Sequence, residues 1–300
     1  MKYILKIDAL GKFPEIDIDK KRYDSLCHAK EVLLNGLEME EKYEILVSNY
    51  LELEEKIQKH TVLAMARRPG SYEDFFEARM EFNIRLVNLL TSARLYKDQL
   101  HRHVREIVPQ IPDIKEDINK QFSTQYDENI EYRFIEELRN HVQHRGTPVH
   151  WTQYNSYRGE KDQEHLLFYS MELASQKDQL KEDKNFKKRL LEELPDKVDL
   201  KMAVRVYVEC TSKVHCYARK IVEDTLAQSR LLVEQAISEY KIEYPGLFAG
   251  LKVMCLKDDK IVEKRTLLLE WDDIRLKLTQ RNAELINLRN RCVISRSKNS

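Results

Sequence analysis

The sequence predicts a mostly α-helical fold, an antiparallel bundle with a few short strands, and three observations carry that expectation. Glycine supplies only 7 of the 300 residues, far under the usual share of about 7%, so turns that need a positive φ are scarce. Two long segments, 73–108 and 198–240, repeat apolar residues at helical spacing. Charged residues make up 34% of the chain yet cancel to a net charge of zero, the composition of long solvated helices rich in Glu and Lys.

Each element follows in order. Residues 1–18 alternate apolar and polar (Tyr3, Leu5, Ile7; Ile16, Ile18), which suits short strands or an irregular arm. A helical pattern covers about 19–66, with a break expected near Gly36 and then a stripe of Tyr43, Leu46, Val47, Tyr50 and Leu51. Arg67-Arg68-Pro69-Gly70 ends it with cations, a breaker and a turn. Ser71 to Asp74 has the form of a capping box and opens the strongest helix signal, from Phe75 through Phe82, Leu86, Leu89, Leu90, Ala93, Tyr96, Leu100 and Val104 to Ile107.

Residues 109–130 contain Pro109 and Pro112 and read as a connector with room for a short helix. A helix over 129–145 stops at Gly146 and Pro148. Residues 147–176 read as irregular chain with one or two strands, and a polar helix near 183–194 precedes Pro195. The second long helix carries Leu200, Ala203, Val204, Tyr207, Val214, Tyr217 and Ile221 and closes at Pro245-Gly246. A hairpin around Asp258-Asp259, a last helix over 271–291 and a basic tail from Arg289 complete the chain. The expected division is an N-terminal helical arm with short strands (1–68), a helical bundle (69–245), and a hairpin and helix packing on that bundle (246–300).

Composition also excludes functions. Neither GxGxxG nor GxxxxGK[ST] occurs, so no phosphate-cradling loop of a nucleotide-binding α/β fold is expected. The five cysteines (Cys27, Cys210, Cys216, Cys255, Cys292) form no CxxC pair and suit reduced thiols better than a disulfide framework or a zinc site. No apolar run approaches a membrane helix of roughly 18 residues, and Met1 to Leu10 does not read as a signal peptide. A cytoplasmic protein without a cofactor is expected. Any nucleic-acid contact would come from a local patch, because the chain as a whole carries no net charge.

The segment Arg139 to His144 is where chemistry is expected. On a helical wheel Phe134, Ile135, Leu138 and Val142 form the buried stripe; Glu136, Arg139, Asn140, Gln143 and His144 fall opposite, with His141 at the edge. Arg139, Asn140 and His144 are therefore expected to project away from the core, Asn140 and His144 as neighbours four residues apart. Histidine can take or give a proton near neutrality, and a guanidinium matches a phosphate and its developing charge. No carboxylate cluster accompanies them to hold two metals. His141 and His144 as a metal pair lack a third ligand.

Arg139-Asn140-x-x-x-His144 resembles the Arg-x(4–6)-His motif of HEPN domains, in the form with a polar residue after the arginine. The phrase from Phe134 to His150 also resembles uncharacterised bacterial HEPN-like proteins, as do, more weakly, Asn83 to Asp98 and Val198-Asp199-Leu200. The resemblance spans about 70–240. It implies a HEPN-like bundle that cleaves RNA without a metal, Arg139 and His144 acting at the scissile phosphate and two copies pairing into one composite site. It further implies a toxin-like or antiviral-defence role held in check by an inhibitory protein partner. Asn88, Asp98, His141 and Arg145 are the candidates for supporting or RNA-contacting roles. The bare pattern recurs at Arg22/His28, Arg94/His101, Arg145/His150 and Arg158/His165, so context singles out Arg139/His144. The alternative is a non-catalytic helical scaffold or RNA-binding module, in which Arg139 and His144 are solvated cations at a helix C-terminus.

Overall fold

The computed structural model describes residues 1–160, 163–245 and 250–294. Gly246, half of the expected helix stop, and the end of the basic tail (295–300) lie outside the described residues. The chain is mostly helical. Its helices are α1 (Lys20–Arg67), α2 (Tyr72–Ile107), α3 (Ile114–Glu128), α4 (Ile130–His144), α5 (Lys177–Lys181), α6 (Lys188–Glu193), α7 (Leu200–Glu243) and α8 (Glu270–Arg281). The strands are β1 (Lys2–Ile7), β2 (Glu15–Ile18), β3 (Trp151–Arg158), β4 (Leu167–Gln176), β5 (Lys197–Asp199), β6 (Leu251–Lys257) and β7 (Lys260–Thr266).

The fold has two compact units, neither of them a contiguous stretch of chain. The first comprises Met1–Lys42, Gln99–Ile118 and Cys216–Ala283. Its antiparallel sheet has the order β2-β1-β6-β7, so the N-terminal strands and the 251–266 hairpin, which the sequence reading put in separate segments, are one sheet. Asp258 and Asp259 form the two-residue turn between β6 and β7, both at positive φ (51° and 60°), as hairpin turns of the primed type require.

Gly36 does not break α1, which runs unbroken for 48 residues from Lys20 to Arg67. A Cβ on Gly36 would stand 2.6 Å from Leu226 Cδ2 and 3.0 Å from Arg275 Cδ. The glycine is there for close approach of α7 and α8, and those contacts offset the roughly 1 kcal/mol that glycine costs inside a helix.

The second unit comprises Tyr43–Asp98, Asn119–His215 and Glu284–Ser300. The Ser71 cap forms as expected: Asp74 N–H donates to Ser71 Oγ at 3.1 Å, and Asp74 Oδ2 accepts from the N–H groups of Gly70 and Ser71 at 3.0 and 2.9 Å. Asp199 likewise caps α7, its Oδ1 accepting from Lys201 N–H at 2.8 Å. The core here is built from Phe82, Leu86, Leu89, Leu90, Ala93 and Tyr96 of α2, Phe134, Ile135 and Leu138 of α4, and Val204, Tyr207 and Val208 of α7. Each of the Val, Leu, Ile and Phe side chains among them contributes about 1.5–3 kcal/mol by burial. The sheet order is β3-β4-β5, antiparallel. The polar helix expected over 183–194 is in fact a turn at Asp183–Phe186 followed by the short α6.

Candidate functional site

α4 carries the Arg139 segment, and it is buried on more than one side. Tyr132, Phe134, Ile135, Glu136, Glu137, Leu138, Arg139 and His141 are all buried, whereas Asn140, Gln143 and His144 are exposed. The helical wheel was therefore wrong for Glu136 and Arg139. It allows one packing partner, but the polar side of α4 is also covered. Lys97 of α2 donates to Glu136 Oε2 at 2.9 Å, and Tyr207 of α7 donates to Glu136 Oε1 at 2.8 Å. Lys187 pairs with Glu137 at 2.7 Å. The Tyr132 ring stacks on that of Tyr207 at 4.8 Å. Burial, with Glu136 alongside, pushes the Tyr207 hydroxyl well above its usual range, so it remains a donor.

Arg139 is 9% exposed. Its Nη2 donates to Asn140 Oδ1 at 2.9 Å, and its buried Nε has no hydrogen-bond partner. No carboxylate pairs with it among the described residues. This sets it apart from the other arginines of the repeated pattern. Arg22 is held by Glu239, Arg94 by Asp98 at 2.6 Å, and Arg145 approaches Asp183 at 3.7 Å; Arg158 is exposed. An unpaired buried cation is costly unless an anion meets it. His144, the last residue of α4, makes no hydrogen bond or ion pair among the described residues.

His141 faces the other way. Its Nδ1 lies 2.9 Å from Asp183 Oδ2. That bond, the main cause, holds the Asp183 carboxyl below the usual range; the Asn185 N–H also donates to Asp183. A Cβ on Gly146 would lie 2.8 Å from His141 Nε2, so the residue that ends α4 is a glycine because the imidazole packs against it. His150 lies edge-on to His141 at 6.3 Å, and its Nδ1 accepts the Gln176 N–H at 3.0 Å. Burial lowers the pKa of His150. Asp183 and Phe186 also line a groove of about 780 Å³ with Lys177, Lys181, Lys184 and Lys188.

The supporting candidates separate. His141 and Arg145 are at Asp183, whereas Asn88 is exposed and Asp98 is taken by Arg94. The α2 asparagine that reaches the segment after α4 is Asn83, buried, accepting the Val149 N–H at 2.8 Å. Sequence reasoning missed the roles of Asn83, Asp183 and Glu136. A lone asparagine on a helix and a carboxylate in a polar run carry no local mark of a partner more than 40 positions away.

Among the described residues, no group of three or more His, Cys, Asp or Glu side chains is placed to hold a metal ion, and no helix is long and apolar enough to cross a membrane. Compared with protein-family models, curated proteins and solved structures, the chain matches none.

Proposed function

We propose that this chain is a metal-independent endoribonuclease of the HEPN type, its bundle HEPN-like, acting as a homodimer with a composite site. The observation that carries the reading is Arg139, a buried guanidinium that among the described residues meets no carboxylate and is bonded only to the exposed Asn140. A phosphate is the anion that such a fork fits. The exposed His144 stands on the same helix, one turn from Asn140, and the lysine-lined groove suits a phosphodiester backbone.

In the reaction the substrate 2′-OH attacks the adjacent phosphorus. The O2′–P bond forms, the P–O5′ bond breaks, and the products are a 2′,3′-cyclic phosphate and a 5′-OH. One His144 imidazole takes the 2′-OH proton, and a protonated copy across the dimer gives one to the leaving O5′. Arg139 stabilises the charge that develops on the phosphoryl oxygens, and Asn140 holds Arg139 in position. A toxin or antiviral-defence role with an inhibitory protein partner rests on the family resemblance, and a cytoplasmic location rests on the cysteine pattern and the absence of a signal-peptide or membrane-helix pattern in the sequence.

Purified chain incubated with single-stranded RNA in EDTA should yield cyclic-phosphate ends. His144→Ala should reduce the rate about 10²–10⁴-fold, and Arg139→Ala by a similar factor. Absence of cleavage, or variants that cleave like the wild type, overturns the proposal. The second reading, a scaffold or RNA-binding module without turnover, is favoured by the burial of Arg139 beside Glu136 and Glu137. RNA binding without cleavage would select it.

A further inference from the structure

The first turns of α2 and the start of β3 line a concavity of about 330 Å³. Tyr72, Phe75, Phe76, Arg79, His150 and Trp151 form most of its wall, with Thr152 and Gln153, and neither Arg139, Asn140 nor His144 takes part. Aromatic side chains ordinarily bury, yet here Tyr72 is 83% and Phe76 44% exposed, and Phe75 and Trp151 are half-buried.

Cations accompany the rings. The Arg79 guanidinium lies 5.9 Å from the centre of the Phe76 ring, and Lys197 Nζ lies 3.7 Å from that of Trp151. Among the described residues no acidic side chain lines the wall, and the nearby Asp74 is turned into the α2 cap. Both sides of the wall are anchored, one by that cap and the other by His150 on the Gln176 N–H. Rings in that number suit a flat π-faced ligand, and a guanidinium with no carboxylate opposite suits an anion.

We propose that this pocket holds one unpaired nucleotide, its base among the rings of Tyr72, Phe76 and Trp151 and its phosphate on Arg79. The choice of a nucleotide over another planar anion rests on the ribonuclease reading. The nucleotide is either free or part of a single strand, and the two are told apart by experiment.

The chain has two tryptophans, Trp151 and Trp271, so Trp271→Phe leaves Trp151 as the sole reporter. Its emission is titrated with a 2′-O-methyl oligouridylate, which has no 2′-OH to attack, with AMP and UMP, and with ribose 5-phosphate. The strand should quench Trp151 saturably, and ribose 5-phosphate should not. Arg79→Ala and Phe76→Ala should each weaken binding by roughly fivefold or more. Mononucleotides binding as tightly as the strand identify a free nucleotide as the ligand; tighter binding of the strand identifies RNA.

No quenching by any nucleotide, or equal quenching by ribose 5-phosphate, overturns the pocket. Cleavage without quenching overturns the pocket alone, and quenching without cleavage overturns the ribonuclease alone. If Trp271→Phe does not fold, polarisation of a fluorescein-labelled 2′-O-methyl strand and of fluorescein-labelled AMP on wild type and Arg79→Ala, each competed with ribose 5-phosphate, gives the same decision.

Discussion

Arg219 and Arg205 on α7 and Arg139 on α4 are arginines with little exposed surface, and they are treated differently. Arg219 gives Nε and Nη2 to the two oxygens of Glu40 at 2.8 and 2.5 Å and Nη1 to the Asn282 carbonyl at 2.7 Å. Arg205 gives Nε and Nη2 to Glu54 at 2.6 and 2.8 Å and Nη1 to the Arg291 carbonyl at 3.0 Å. Among the described residues Arg139 makes one bond, to a neutral amide, and its Nε has no partner. An arginine whose fork is filled by a carboxylate has its charge answered within the chain and serves the fold. One whose fork is open keeps donors for something else.

The largest expected effect tests that difference directly. Arg219→Ala removes the two-point guanidinium contact of Glu40, which is 2% exposed, and should cost about 3–5 kcal/mol, as breaking a buried pair does. Arg139→Ala strands no carboxylate and should cost about 1 kcal/mol or less. Urea unfolding of both variants checks this, and equal losses would erase the contrast between the two helices.

A smaller effect probes the far side of α4. Gly146→Ala drives a methyl group against the His141 ring and should lose about 1–3 kcal/mol by overpacking. Thermal melts together with the His141 imidazole NMR signal check it; an unchanged His141 with full stability would show that the Asp183 contact does not depend on Gly146.

The smallest effect separates the arginines, which keep their charge, from the histidines. Burial, the main cause in each case, holds His60, His103 and His150 below their ordinary 6.5. Between pH 6.5 and those lowered values the unfolded chain binds more protons. The stability these groups confer is therefore complete above 6.5 and lost as pH falls through the lowered values. Asp183 acts in the same sense in a more acidic window, below its ordinary 3.8. The melting temperature should fall as pH is taken from 7 towards 5. A flat profile would show that the three histidines titrate alike folded and unfolded.

Much of this was legible in the chain. Scarce glycine and the stripes of α2 and α7 marked the helices, Ser71-Asp74 marked a cap, and Asp258-Asp259 marked a hairpin. Apart from the glycine count, each is a local signal, decided by residues within a turn or two of one another. Gly36 was misread because helix propensity is local, whereas the approach of Leu226, 190 positions later, is not. α4 was misread because a wheel knows one core direction, and Lys97 and Tyr207 cover a second one.

The sequence by itself determined that this protein is helical, where α1, α2, α4 and α7 start and stop, and which short segment gathers Arg139, Asn140 and His144; the last helix, expected over 271–291, stops at Arg281. Only the tertiary structure decided which of its charges are answered. Pairing depends on a partner brought near by packing: Glu40 to Arg219, Asp183 to His141 and, among the described residues, no carboxylate to Arg139. The distance along the chain between such partners carries no trace of it.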